Sequence, residues 1–447
     1  MTTIRVPQAM SAERLFDVVD YLVDERVGII RDVIEVAREA GAPNVFCFYA
    51  RACDTKSLSR QGNFADAAGA SLDRDLAAAK AIGEAIERYC PAFFDLQELP
   101  FYSYNNAPFE CISPSKFALY SQKQYSQEDF PYRPFTSETK THWTAATDLT
   151  TGETHYVPAA MVYLPYSYDQ ENLEHPIVQP ISTGLACHCS KAEAAISGIC
   201  EVIERDAFTI AWQSRLEMPQ IAIETLSERN RNLVCRFEQA GAFVHLLNLT
   251  MDHGVPTVLA VLRNDAHDTP ALVLAAAAHL SSEHAVRKSL EELELTRRLA
   301  QELKIQLSPL ISEDGFKNII TQDDHIHFFC DQANAHLADF IIASRTRVSF
   351  SDVPSVSIGD PEIDLQVLIE RVKSVGHQVL ITDLTTSDID QLGLSVIRAV
   401  IPGFHPLFFG HHLRATGGKR LWEVPQKLGY AGISQDIGDN PVPHPYP

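Results

Sequence analysis

The sequence predicts an α/β protein built in layers (an α+β layered sandwich), with mixed sheets packed on helices and an internal pseudo-repeat. Three observations carry that expectation. Apolar stretches with buried-strand character recur at AFVHLLNL, TVLAVL, ALVLAAAA, QVLITDL and SVIRAVI. Helical runs at 191–213 and 283–304 are interleaved with them, the alternation that layers helices against sheets. Two near-identical pentads, Glu84-Ala-Ile-Glu-Arg88 and Glu201-Val-Ile-Glu-Arg205, each sit inside a strongly helical run.

Residues 11–40 place Leu15, Val18, Val19, Leu22, Val27, Ile30, Val33 and Ile34 close to a helical spacing, and Gly41 with Pro43 stops the run. Residues 1–54 therefore read as an amino-terminal helical lead-in. Between Cys90 and Ser182, aromatics, prolines and short polar turns read as β-rich surface structure. The run EELELTRRLAQELK carries charges at i,i+4 and reads as a solvated helix face.

At about 150 residues per domain, 447 residues amount to roughly three domain equivalents, room for one large catalytic fold with an appended module. An apolar fraction of 45% against 21% charged residues fits a soluble globular core and excludes disordered and fibrous classes. With 58 acidic and 37 basic residues the formal charge is -21, which repels phosphate backbones and anionic lipid, so neither nucleic acid nor membrane is expected as a partner. Nine cysteines without a repeated spacing read as reduced thiols packed as small hydrophobes. The amino-terminal stretch shows neither a secretory pattern nor an apolar span of about 20 residues, so the expected class is a cytoplasmic enzyme.

The pentads carry the chemistry. Residues three and four apart share a helix face, so Glu84, Glu87 and Arg88 project together, as do Glu201, Glu204 and Arg205. The second run, AAISGICEVIERDAFTIAW, is apolar almost all round, and unpaired carboxylates buried there cost several kcal/mol each. Four carboxylates against two arginines leave a deficit that Mg²⁺ shared with nucleotide phosphates fills most simply. Exposed Glu-to-Arg pairs are the ordinary alternative for either pentad alone, and recurrence inside apolar helices argues against it. No complete G-x-x-x-x-G-K-[ST] loop is present; Thr416-Gly417-Gly418-Lys419-Arg420 lacks the upstream glycine and the following hydroxyl.

At these residues the chain resembles the YcaO family of ATP-dependent enzymes that activate backbone amides. The match rests on AAGASLDRDLAAAKAIGEAIERY at 67–89 and STGLACHCSKAEAAISGICEVIERDAF at 182–208, with a weaker third stretch, SSEHAVRKSLEELELTRRLAQ, at 281–301. The resemblance implies a YcaO catalytic domain over 55–447, with Glu84, Glu87, Glu201 and Glu204 holding Mg²⁺ around ATP. It adds Arg88, Arg205, Glu193, Ser71, Ser197 and Arg287 as nucleotide-site residues. Lys80 departs from the pattern where serine is frequent, as does Ser197 where glutamine is.

The terminal PVPHPYP, 441–447, has proline at every second position and so lacks P-x-x-P docking spacing. Proline-locked backbone loses little entropy on ordering and can thread a rigid carboxylate into a groove, whereas a frayed end is the default for termini. The resemblance favours the first and gives Pro445 and Pro447 a catalytic part. It implies a cyclodehydratase that converts Cys, Ser or Thr of a ribosomal precursor peptide to thiazoline or oxazoline, a reaction of bacteriocin biosynthesis. A thioamide-forming enzyme and a catalytically silent nucleotide-binding scaffold are the alternatives. Implied partners are the precursor, an E1-like or leader-peptide-binding protein, a flavin dehydrogenase and a second copy in a homodimer. Cys187-His188-Cys189 lacks a second ligand pair at zinc spacing, and His411-His412 reads more readily as a strand-end cap than as part of a polar pocket.

Overall fold

The computed structural model describes residues 7–447 apart from 40 and 435–437. The chain divides into two compact units: Met1–Val36, Phe46–Val202 and Ile358–Gly403 make the first, and Ala37–Val45, Ile203–Ser357 and Phe404–Pro447 the second.

In the first unit, helix α1 (Pro7–Phe16) precedes an antiparallel sheet of β1 (Ile30–Glu35), β2 (Phe46–Ala52) and β3 (Asp66–Ser71), in that order. The helical reading of residues 11–40 is corrected here. Beyond the short turn Val19–Leu22 the chain extends, and Ile30–Glu35 pairs with β2. Apolar residues at 30, 33 and 34 suit either period over so short a run; the β-branched side chains and a waiting partner strand decide it.

Helix α2 (Arg74–Tyr89) is capped by Asp73, whose side chain accepts from the N–H groups of Asp75 and Leu76. It buries Ala77, Ala78, Ala81, Ile82, Ala85 and Ile86. Alanines on that face, and Gly69 on β3, let helix and strand backbones touch: a Cβ on Gly69 would stand 2.3 Å from the Ala77 carbonyl oxygen. The first pentad is thereby pressed against the strand that precedes its helix.

The same unit holds a six-stranded antiparallel sheet: β4 (Phe101–Ser103), β5 (Lys140–Asp148), β6 (Thr154–Pro158), β7 (Leu185–His188), β13 (Leu380–Asp383) and β14 (Ser395–Val400). Its order is β4-β5-β13-β14-β7, with β6 on β5. The reading of 90–182 as surface structure is corrected in part, because β5 is largely buried. Trp143 lies there fully enclosed, its indole N–H donating to the Tyr102 carbonyl at 2.9 Å.

Helix α3 (Lys191–Gln213) follows β7, and the division between units falls within it. The second unit contains β8 (Gln220–Ile221), β9 (Phe243–Asn248), β10 (Thr257–Arg263), β11 (Leu272–Ala278) and β12 (Arg347–Val348). Their order is β11-β10-β9-β8-β12, antiparallel except for β8 with β12. Helix α4 (Ser282–Gln306) packs on β10 and β11. Its predicted solvated face is buried, with Glu294 entirely enclosed and split between Arg297 at 2.8 Å and Arg298 at 3.0 Å. The i,i+3 and i,i+4 spacing of such charges is the same whether they face water or one another, so spacing alone could not place them.

Candidate functional site

The pseudo-repeat has a physical purpose, visible in one hydrogen bond made twice. Glu84 on α2 accepts from the Ala68 N–H of β3 at 2.7 Å, and Glu201 on α3 accepts from the Gly184 N–H, one residue before β7, at 2.9 Å. Each anchoring glutamate thus reaches back 16 or 17 residues to the strand that feeds its helix. The second anchor needs glycine. Gly184 has φ +91°, and a Cβ there would stand 2.3 Å from the Ala399 carbonyl oxygen. Gly198 of α3 also approaches Gly184 closely, its imagined Cβ 2.6 Å from the Gly184 oxygen.

Around these anchors the first unit gathers carboxylates and arginines. Arg88 pairs with Glu84, one turn away. Burial works against the Arg88 guanidinium, but Glu84, Glu87 and Glu201 outweigh it and hold its proton more tightly than usual. Across from them, Arg398 of β14 is buried, and its Nη2 donates to the Ile181 carbonyl at 2.8 Å. Burial pulls its pKa down to about 10 against the pull of Glu201 and Glu87. Arg398 escaped the sequence reading; a single charge inside the apolar stretch SVIRAVI was the available signal.

In the second unit, Glu204 is buried and accepts from the Tyr446 hydroxyl at 2.6 Å. Arg205 donates from Nη1 to the Pro447 oxygen at 2.9 Å and lies 4.7 Å over the Tyr446 ring. The tail is no frayed end. Val442–Tyr446 is buried, the Trp212 indole N–H donates to the Val442 carbonyl at 3.1 Å, and Tyr446 stacks on Phe208 at 4.1 Å. Pro445 lies in that buried stretch and Pro447 is half-buried.

Two histidines hold the tail in single tautomers. His325 donates from Nδ1 to the His444 carbonyl at 2.8 Å and accepts at Nε2 from the Gly410 N–H at 3.1 Å. His444 donates from Nε2 to the Phe408 carbonyl at 2.9 Å and accepts at Nδ1 from the Tyr446 N–H at 3.2 Å. A second proton on either ring would destroy an acceptor, and burial already lowers both pKa values, that of His325 from 6.5 to about 4. The native state therefore binds fewer protons than the unfolded chain between those values. The stabilisation is complete above about pH 6.5 and is lost as pH falls toward 4. Melting temperatures recorded across that window should fall with pH, and His444→Asn should flatten part of the slope. Identical slopes in both proteins would contradict the tautomer assignment.

The remaining predicted residues are placed as follows. Ser71 is buried at the end of β3, where its hydroxyl accepts from the Asp73 N–H at 3.2 Å, and the Lys80 amine donates to the neighbouring Ala70 carbonyl at 3.0 Å. Glu193, in the first turn of α3, accepts from the Ser190 hydroxyl at 2.7 Å and stands 3.1 Å from His188 Nδ1. Ser197 is half-buried one turn before Glu201. Arg287 is buried near the start of α4, 3.3 Å from His284 Nδ1, and desolvation lowers its pKa. His411 is buried in the turn His411–Leu413 rather than capping a strand.

Among the described residues no three His, Cys, Asp or Glu side chains converge into a ready cation cage. Mg²⁺ needs no complete protein cage, because it takes part of its shell from phosphate and water. Glu84, Glu87 and Glu201 offer the oxygen donors that Mg²⁺ takes, and the charges of Arg88 and Arg398 lie beside them.

Paired acidic helices on layered mixed sheets, in a sequence without a complete phosphate loop, are what this chain shares with one family. A family profile described as YcaO cyclodehydratase, ATP- and Mg²⁺-binding, matches residues 68–405. The chain belongs to the YcaO family, and its cofactors are ATP and Mg²⁺. It is similar to an uncharacterized protein of Methanothermobacter thermautotrophicus, 25% identical over 343 residues, 75% of this chain and 80% of that one. Among solved structures it resembles a heterocyclase in complex with substrate and cofactor, with TM-score 0.78 and 20% identity over 97% of this chain and 57% of that one. It also resembles YcaO from Methanopyrus kandleri bound with AMPPCP and Mg²⁺, with TM-score 0.64 and 21% identity over 88% of this chain and 90% of that one. The chain thus spans little more than half of the heterocyclase it matches. No helix among the described residues is long and apolar enough to cross a membrane.

Proposed function

We propose that this chain is an ATP-dependent peptide cyclodehydratase that forms thiazoline or oxazoline rings from Cys, Ser or Thr of a ribosomal precursor. Residues 55–447 would form the catalytic domain and 1–54 the lead-in to it. The observation that carries the reading is the ordered tail, whose last residue is bound by Arg205 while its Tyr446 is bound by Glu204, both from the second pentad.

When bound, Mg²⁺-ATP supplies a γ-phosphoryl group that turns the amide oxygen into a leaving group. The chain's own residues position and neutralise. Glu84, Glu87 and Glu201 would hold the metal, with Glu204, one turn further along α3, completing the set. Arg88 and Arg205 balance their charge and steer phosphate, and Glu193, Ser71, Ser197 and Arg287 would line the nucleotide. The substrate thiol or hydroxyl attacks the preceding carbonyl, and the Pro447 carboxylate, held by Arg205, takes its proton. Pro445 limits the backbone freedom of the last residues, so the carboxylate is presented with little entropy left to lose.

A peptide substrate, a leader-engaging partner of the E1-like kind, a flavin dehydrogenase for later oxidation, homodimerisation and a cytoplasmic setting complete the proposal. Incubated with precursor, partner and Mg²⁺-ATP, the enzyme should remove one water, about 18 Da, per ring. A gain of about 16 Da would instead identify oxygen-to-sulfur exchange by a thioamide-forming enzyme, and an unchanged mass would favour a silent scaffold.

A further inference from the structure

We infer that Arg398 is a further anion-binding residue of the nucleotide site, donating to phosphoryl oxygens of the Mg²⁺-bound nucleotide; this rests on the reading above.

The protein leaves a buried guanidinium unfinished. Arg398 is 6% exposed on β14, in the middle of an apolar strand whose neighbours in the sheet are β13 and β7. Of its five N–H donors, Nη2 has one acceptor, the Ile181 carbonyl, while Nε and Nη1 have no hydrogen-bond partner among the described residues. Burying a cation is costly, and each buried donor without an acceptor adds to the cost. Buried donors of this kind are completed by ordered water or by a bound anion.

The surroundings say which. The charges that act on Arg398 are Glu201 and Glu87, two of the proposed metal ligands. The local framework fixes it beside them: the Ala399 N–H, next in the strand, donates to the Gly184 carbonyl at 2.7 Å, and the Gly184 N–H holds Glu201. A Mg²⁺ ion carried by these carboxylates brings phosphate oxygens into their immediate vicinity, because phosphates supply the part of its shell that protein does not. The acceptors that Arg398 lacks and the oxygens that the metal brings are then the same atoms. A guanidinium suits them better than an ammonium, since it offers several donors in one plane and stays charged when desolvated. In this cluster Arg398 joins Arg88, so that two arginines face the three carboxylates Glu84, Glu87 and Glu201. One excess negative charge remains for the metal.

The test compares the full-length wild type with Arg398→Met, Arg398→Lys and Glu201→Gln by calorimetry with Mg²⁺ and AMPPCP, alongside thermal melts without ligand. Arg398→Met should weaken nucleotide binding about 10- to 100-fold at every Mg²⁺ concentration while Mg²⁺ still improves it. Its ligand-free melting temperature should hold or rise, because a buried, incompletely bonded charge has gone. Arg398→Lys should recover part of the affinity. Glu201→Gln should instead abolish the Mg²⁺ dependence. Affinity within about twofold of wild type in Arg398→Met would overturn the inference and leave the nucleotide site standing. A marked fall in ligand-free melting temperature in both Arg398 variants would overturn it in favour of a structural role. Failure of the wild type to bind Mg²⁺-AMPPCP would overturn the underlying functional reading as well.

Discussion

Appending one residue after Pro447 is expected to cut ring formation by about 100-fold or more, the range that loss of a positioned acid–base group produces. The addition turns the terminal carboxylate into a neutral carbonyl and carries the new carboxylate one residue away, about 3.5 Å. Arg205, now 2.9 Å from the Pro447 oxygen, would keep a hydrogen bond and lose its countercharge. Nothing buried is removed, so the thermal melt should change little. Deletion is a less clean probe. Tyr446 is buried, stacked on Phe208 and bonded to Glu204, so a truncation that takes it away should also cost roughly 3–5 kcal/mol of stability, as loss of a large buried aromatic does. Ring counting by mass spectrometry on the native and extended proteins decides the matter. An extended protein that cyclises at the native rate would end the proposal for the tail.

Replacing Glu84 or Glu201 by Gln is expected to remove Mg²⁺-dependent nucleotide binding, a loss of about 100-fold or more, with the fold intact. The amide oxygen of glutamine can still accept from the Ala68 or Gly184 N–H, so the strand-to-helix anchor survives. What disappears is a formal charge beside the metal, where Mg²⁺ depends on ionised oxygen. Arg88, held in its charged form by Glu84 first among the carboxylates around it, would then lose much of its orientation in Glu84→Gln. Calorimetry with Mg²⁺ and AMPPCP reads the effect, and unchanged affinity in both variants would contradict the assignment of these helices.

These expectations show which parts of the molecule were legible in the sequence. The pentads were readable because carboxylates are conspicuous in apolar helices, and their recurrence pointed to one design used twice; only Glu204 of the four is fully buried. The design itself, a glutamate anchored on the strand before its helix, depends on close approach at Gly69, Gly184 and Gly198, where single glycines carry no visible signature. The same limit explains the errors elsewhere. Charges at 291–298 follow the rhythm of an exposed helix, yet Glu294 finds its partners within the protein. Three apolar residues at 30–34 could not reveal that β2 would pair with them. Arg398 and Tyr446 acquire meaning only from neighbours that are 197 and 242 residues away in sequence, Glu201 and Glu204.

The proposed reaction requires that the phosphoryl group of ATP pass to the oxygen of the peptide amide that closes the ring. A precursor labelled with ¹⁸O at that carbonyl, incubated with enzyme, partner and Mg²⁺-ATP, makes this transfer directly measurable in the phosphate released. If the oxygen leaves bound to phosphorus, labelled phosphate is expected to appear with each ring formed. Rings formed with the label recovered in water, and none in phosphate, would contradict it.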